Sequence, residues 1–183
     1  VEREQLEHVL RAAAAITRED EFIIVGSQAI LGALPDAPPD LKLSREVDLY
    51  PRFRPELADL IDGALGEASH FDDTFGYYAQ GVGAETAVIP AGWQQRLVRV
   101  QTPATRGAIG WCLEPHDLVV SKYVANRDKD RLFCRSALRH EVVRAQTLIE
   151  RARALSLDRE RIASIISAIE RDARQVGALP GSG

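Results

Sequence analysis

A mixed α/β core followed by a helical C-terminal third is the architecture this sequence predicts. Three observations carry it. Short apolar runs bounded by glycine, proline and charge occupy the first half of the chain. Residues 70–112 are rich in glycine and β-formers. From residue 113 onward, apolar residues recur at helical spacing.

Each element follows in order. Leu6, Val9, Leu10, Ala13, Ala14 and Ile16 share one helical face, which predicts a packed helix over residues 2–17. EFIIVG is an apolar run ending in glycine, the pattern of a buried strand. SQAILGAL returns to helical character, with Ser27 placed to cap it. PDAPPDLKLS is a proline-rich loop, and REVDLYP is the second strand. RPELADLIDGALGEA puts Leu57, Leu60, Ile61 and Leu65 on one face, with Pro55 near the start of a helix. FGYYAQGVGAETAVIPAGWQQRLVRVQT holds two or three further strands. GWCLEPHDLVVSKYVANRDKDRLF then switches to helix from Pro115, with Asp117 in its first turn. EVVRAQTLIERARAL and DRERIASIISAIERDA are two amphipathic helices. The expected division is an α/β core over 1–112, a helical region over 113–176 and a disordered tail over 177–183.

Composition narrows the function classes. The net charge of −4 gives no general case for nucleic-acid binding, so any basic surface must be local. Cys112 and Cys134 are isolated, which suggests buried thiols in a reducing compartment. Zinc-ligand spacing is absent, and no apolar run approaches the roughly 20 residues of a membrane span. The charged, amphipathic N-terminal segment is unlike a signal peptide, so a cytoplasmic protein without a membrane partner is expected.

The informative stretch is SREVDLYP. Side chains at i and i+2 of a strand share a face, so Glu46 and Asp48 stand side by side, roughly 6–7 Å apart at Cα. Two such carboxylates repel unless a positive charge lies near. Mg²⁺ supplies one, since it takes oxygen ligands and is often held by one or two carboxylates with substrate phosphates. The alternative is a strand whose acids simply face water. Upstream, VGSQAIL reads as strand, Gly26-Ser27 turn, helix. Glycine there lets backbone N–H groups approach an anion, and the Ser27 hydroxyl either binds a phosphate oxygen or caps the helix. Walker and G-x-G-x-x-G patterns are both absent.

VGSQAIL followed by SREVDLYP resembles the nucleotidyltransferase superfamily with the DNA polymerase β-like fold, over residues 20–140. Within it the likeness is to the AbiEii-like and MenT-like bacterial toxins and their relatives. The resemblance implies a small mixed β-sheet core with flanking helices and a C-terminal helical bundle. Gly26 and Ser27 map to the turn, and Glu46 and Asp48 to the acid pair, with Glu46 standing where Asp is usual. A third carboxylate is implied on a later strand, for which Glu85 is the candidate. Lys122 is expected to hold nucleotide phosphates, followed by Arg127 and Asp130; its other role is a snorkelling lysine with a buried stem. Lys122 and Lys129 are seven apart, on one helical face, and Lys122 and Asp130 are roughly aligned. The implied activity is Mg²⁺-dependent transfer of a nucleotide from an NTP, with one or two Mg²⁺ ions, to an acceptor such as tRNA or another RNA. A toxin–antitoxin role with a cognate antitoxin partner comes with it. The rival is a catalytically inactive module of the same fold that binds or regulates.

Residues 118–151 carry eight Lys or Arg against four Asp or Glu, a local basic excess in which Arg131, Arg135 and Arg139 are RNA-contact candidates. Trp93 and Trp111 are expected to pack the sheet or stack a base, and Arg96 to serve as a structural salt-bridge partner for the acids. His8 falls on the first helix; His70, His116 and His140 are surface or loop residues.

Overall fold

A computed structural model of the chain describes residues 1–178; of the expected tail, residues 179–183 lie outside the described residues. The described chain divides into two compact units. The first comprises residues 1–86 and 97–114, and the second, among the described residues, comprises 87–96 and 115–178.

The first unit is a five-stranded mixed sheet with helices. Its elements are α1 (Arg3–Thr17), β1 (Glu21–Ile24), a 3-10 turn (Ser27–Ala29) running into α2 (Ile30–Ala33), β2 (Glu46–Pro51), α3 (Ala58–Leu65), α4 (His70–Phe75), β3 (Tyr78–Gly81), β4 (Val98–Val100) and β5 (Ile109–Cys112). The sheet order is β3-β2-β1-β5-β4, antiparallel at β1–β2 and β4–β5 and parallel at β2–β3 and β1–β5. The strands of the sequence prediction are therefore present, with two, β3 and β4, in the stretch 75–102; β5 lies beyond it, across the start of the GWCLEP stretch.

Strand register sorts the side chains by face. Phe22 and Ile24 of β1, Val47 and Leu49 of β2, Ala79 of β3, Cys112 of β5 and Val100 of β4 are all buried. This face is the core side, where Leu6, Val9, Leu10 and Ala13 of α1 and Ile61 and Leu65 of α3 are also buried. Gly110 eases that approach, because a Cβ there would sit 2.8 Å from Leu10 Cδ1 and 2.9 Å from Ile24 Cδ1 and force those side chains to shift. Both cysteines are free and buried, as expected, and burial raises the Cys112 thiol pKa to about 12 and the Cys134 thiol well above its usual value.

The helices α3 and α4 of this unit depart from the expectation. Leu60 is 48% exposed; Ala58 takes its place beside Ile61 and Leu65 on the buried side of α3. The unforeseen helix α4 had its signals in the sequence: Ser69 accepts a bond from the Asp72 N–H, and Gly76, at φ 74°, ends the helix in the left-handed region.

His8 of α1 packs its ring among Phe71, Phe75 and Tyr77, and its Nδ1 lies 2.6 Å from the Tyr77 hydroxyl. Burial, with the Arg11 charge beside it, lowers the His8 pKa below its usual 6.5. The unfolded chain therefore takes up this proton first as pH falls. His8's contribution to stability is full above about pH 6.5 and declines as pH drops toward the folded pKa. Urea unfolding between pH 7.5 and 5 is expected to show this decline. His8→Gln should flatten it; an unchanged slope in that variant would refute the assignment.

The second unit is helical: a 3-10 turn at Trp93–Arg96, then α5 (Pro115–Ala125), α6 (Asp128–Arg139), α7 (Ala145–Ala152) and α8 (Arg159–Gln175). Its core is built from Leu118, Val119 and Val120 of α5, Cys134, Ala137 and Leu138 of α6, Leu148 and Ala152 of α7, and Ile169 and Ala173 of α8. Three buried acids are tied down within it. Asp117 takes both Arg96 and Arg151, Asp130 takes Lys122 and Arg127, and Asp172 takes Arg135 and the Tyr123 hydroxyl. Arg96 is thus structural as expected, but its partner is Asp117 rather than the acid pair of β2. Trp93 belongs to this unit in a 3-10 turn, not to the sheet.

The single helix expected from Pro115 through Phe133 is broken. Asn126 adopts φ 54°, a left-handed conformation that Asn tolerates, and α6 starts afresh from Arg127. Lys122 and Lys129 therefore belong to different helices and share no helical face. Lys122 and Asp130 do meet, at 3.2 Å, but across that break.

Candidate active site

The first unit brings Gly26, Ser27, Glu46 and Asp48 together. β2 places Glu46 and Asp48 on the face opposite its buried Val47 and Leu49, and both acids are half-buried. The β2–β3 register sets Tyr78 opposite Glu46 and Gln80 opposite Asp48 on that face. The β1–β2 and β1–β5 registers add Tyr50, Ile23 and Trp111 to it. The side-by-side acids predicted from SREVDLYP are therefore present, on a face that also carries aromatic and polar groups.

The Gly26-Ser27 turn lies against Asp48. The Val25 N–H donates to the Asp48 carbonyl at 3.0 Å, continuing the β1–β2 ladder into the turn. A Cβ on Gly26 would run into the Asp48 carboxylate, with Cγ only 2.6 Å and Asp48 Cβ 2.9 Å away. Glycine is required here for space and not for torsion, since φ −67° and ψ −175° suit any residue. Ser27 does not cap the helix as expected: Gly26 holds the cap position, and Ser27 is the first residue of the 3-10 turn. The helical segment that follows is only the 3-10 turn and the four residues of α2, too short for a substantial dipole. Anion binding at this turn would rest on backbone N–H groups and the Ser27 hydroxyl. The next residue, Gln28, is fully buried with neither amide atom hydrogen-bonded, a cost of about 1–3 kcal/mol carried beside the turn.

Gly26→Ala is expected to destabilise the fold by about 1–3 kcal/mol, the range for overpacking, and to displace the Asp48 carboxylate. Gly63→Ala is the control. It sits in α3, where a Cβ meets nothing within 4 Å, and should stabilise by about 0.5–1 kcal/mol. Thermal unfolding of both variants checks the pair; equal effects would show that Gly26 is not sterically constrained.

The electrostatics of the acid face are uneven. Burial, with Glu46 beside it, raises the Tyr78 phenol pKa to about 12, and its hydroxyl donates to Glu46 Oε2 at 3.2 Å. Burial also raises the pKa of Tyr50, with the Glu85 charge adding to it. Glu85 itself sits in an exposed turn after β3, not on a strand. At the far end of the face, Trp111 Nε1 donates to Glu21 at 2.7 Å, which with Arg52 lowers the Glu21 pKa against the opposing effect of burial. Arg52 also lies 4.9 Å from the Trp111 ring, so Trp111 packs on the sheet as one of its expected roles required.

Mg²⁺ suits the donor set of β2: two half-buried carboxylates on one face, both hard oxygen donors, beside a turn kept open by glycine. Among the described residues, no three of His, Cys, Asp and Glu form a metal-holding group. A cation at the acid pair would thus draw on two carboxylates and complete its shell from substrate and water.

The other predicted site residues lie in the second unit. Lys122 is 11% exposed at its side chain and bonds Asp130 Oδ1, which is the buried-stem lysine with its charge held by an acid. Arg127 is the residue preceding α6, and Asp130 accepts from its N–H at 3.2 Å and its Nε at 2.7 Å. Burial disfavours the charged form of Asp130, but Arg127 and Lys122 outweigh it and hold its carboxyl below the usual range.

A five-stranded mixed sheet with a glycine-serine turn facing two acids on the adjoining strand is the arrangement of a nucleotidyltransferase core. A family model described as a nucleotidyltransferase of unknown function (DUF6036) matches residues 4–175, and the chain belongs to that family. No curated protein and no solved structure matches the chain. Among the described residues, no helix is long and apolar enough to cross a membrane.

Proposed function

We propose that the protein is an active, Mg²⁺-dependent nucleotidyltransferase that uses the acid face of its sheet. The observation that carries this is the Gly26–Asp48 approach: a turn that admits no side chain, set directly against a half-buried acid. Asp48 and Glu46 would hold the cation, and the Gly26-Ser27 backbone and the Ser27 hydroxyl would take phosphate oxygens. When bound, Mg²⁺ supplies charge neutralisation and Lewis-acid polarisation at phosphoryl oxygens. In the transfer, the acceptor oxygen bonds to the α-phosphorus, the α–β phosphoanhydride bond breaks, pyrophosphate leaves and the acceptor loses its proton. The residues of the turn and of β2 fix the nucleotide for this displacement rather than forming bonds to it.

Glu85 as a third metal ligand, and Lys122, Arg127 and Asp130 as nucleotide-binding groups, rest on the resemblance; Asp130 enters as the anchor of the two cations. An RNA acceptor, tRNA included, is supported by charge. The second unit holds fourteen Lys or Arg against nine Asp or Glu in a chain of net charge −4. On α6, Arg131, Leu132 and Arg139 are exposed, though Arg131 already bonds Asp128 and Arg135 bonds Asp172. Kinship with the AbiEii-like and MenT-like toxins, and with it a toxin role and an antitoxin partner, rests on the turn and acid-pair motifs.

The test is incubation of the purified protein with total RNA and each labelled NTP, with Mg²⁺ or EDTA, alongside calorimetry of NTP binding. Mg²⁺-dependent label on a defined RNA species supports the full proposal. Label transferred to protein keeps the activity and removes the RNA acceptor. NTP binding without transfer favours the inactive module, and neither binding nor transfer overturns nucleotidyl transfer by this chain.

A further inference from the structure

Glu46 is one methylene longer than aspartate, so its carboxylate has one more rotatable bond and is less well fixed by the strand than that of Asp48. Something must hold it if it is to act with its neighbour. The structure supplies one such group across the β2–β3 pairing. Tyr78 stands in register with Glu46 on the same face, and its hydroxyl donates to Oε2 at 3.2 Å. The pairing is parallel and continues through Val47–Ala79, with both of those side chains buried at 0% exposure, so the register cannot slip without exposing the core. Tyr78 is half-buried and its ring is carried by the strand backbone, which makes it a stiff support. The sequence shows nothing of this, because Tyr78 is 32 residues from Glu46.

We propose that Tyr78 is a positioning residue for cation binding: its hydroxyl fixes one oxygen of Glu46 and so orients the longer acid to work with Asp48. This rests on the proposed role of the acid pair and explains how glutamate serves where aspartate would be held by its own shortness. Groups that orient a metal-binding side chain typically change metal affinity or activity by about 10–100-fold when removed.

The probe is Mn²⁺ alone, titrated into the full chain and followed by the electron paramagnetic resonance signal of the free ion. Tyr78→Phe removes only the hydroxyl and is expected to weaken Mn²⁺ binding by about 10–100-fold while leaving the metal-free unfolding temperature within a few degrees. The same change in an E46D background should have little effect, because the shorter acid does not need the phenol. Equal losses in both backgrounds, or no loss in either, overturn the positioning role. Asp48→Ala separates this from the underlying assignment: if it leaves Mn²⁺ binding intact, the acid pair is not the cation site and both proposals fail together. A second measurement needs no variant of Tyr78. The four tyrosines, Tyr50, Tyr77, Tyr78 and Tyr123, are labelled as 3-fluorotyrosine and assigned by Phe substitution of the other three. Mg²⁺ is expected to move the Tyr78 ¹⁹F resonance in the otherwise native protein and not in Asp48→Ala; a resonance that stays still in both overturns the inference.

Discussion

Asp48→Ala is expected to lower nucleotidyl transfer by at least about a thousandfold, roughly 4 kcal/mol of transition-state stabilisation. Glu46 and Asp48 are like charges on adjacent same-face positions of β2, so a cation held there would interact with both. Asp48 is only half-buried, so its removal takes little from the core. Under the proposed function activity falls because the acid against the Gly26 turn is the one that would stand beside both the cation and the phosphates. Glu46→Ala should show a smaller loss, since the longer acid reaches the site through its bond to Tyr78. Steady-state transfer rates and calorimetric unfolding of both variants are the measurements. Equal activity in Asp48→Ala and the parent would remove the acid pair from the chemistry.

Asp117→Ala is expected to have the largest effect on stability, a loss of about 3–5 kcal/mol. Asp117 is fully buried in α5 and accepts from Arg96 Nε at 2.7 Å and Nη2 at 2.9 Å, with Arg151 Nη1 at 3.5 Å. The alanine variant leaves two guanidinium groups facing an apolar side chain, and uncompensated buried charge is the dominant penalty. Both arginines are 24% exposed, so partial rehydration places the expected loss at the lower end of the range. Total stability is typically about 5–15 kcal/mol, so this is a large share of it, and a fall in the unfolding temperature on the order of 10 °C is expected. Arg151→Leu, which keeps the bidentate Arg96 bond, should cost about a third as much. Chemical denaturation compares the two; a loss below about 0.5 kcal/mol in Asp117→Ala would show that the cluster contributes nothing net.

The motifs that were legible in the sequence are those whose geometry is local. The acid pair follows from the two-residue repeat of a strand, and α1 from its 3.6-residue apolar spacing. The misplacements have equally physical origins. Asn126 breaks a helix that apolar spacing alone extends, because a left-handed residue is a backbone state with no hydrophobic signature. Ser27 has the composition of a cap, but the chain places Gly26 at that position because Asp48 leaves no room for a side chain. Trp93 reads as a sheet residue by composition, and its membership of the second unit depends on contacts such as the Ala91 N–H bond to the Ala154 carbonyl, 63 residues away.

The sequence by itself determined that two acids share a strand face, that a glycine-serine turn precedes them and that the last third is helical. Each follows from side-chain direction over a few consecutive residues. Only the tertiary structure decided that Gly26 abuts Asp48, that Tyr78 bonds Glu46 and that Asp117 takes Arg96 and Arg151. Those pairings are fixed by strand register and helix packing, which depend on burying the whole core at once and leave no trace in the local pattern of residues.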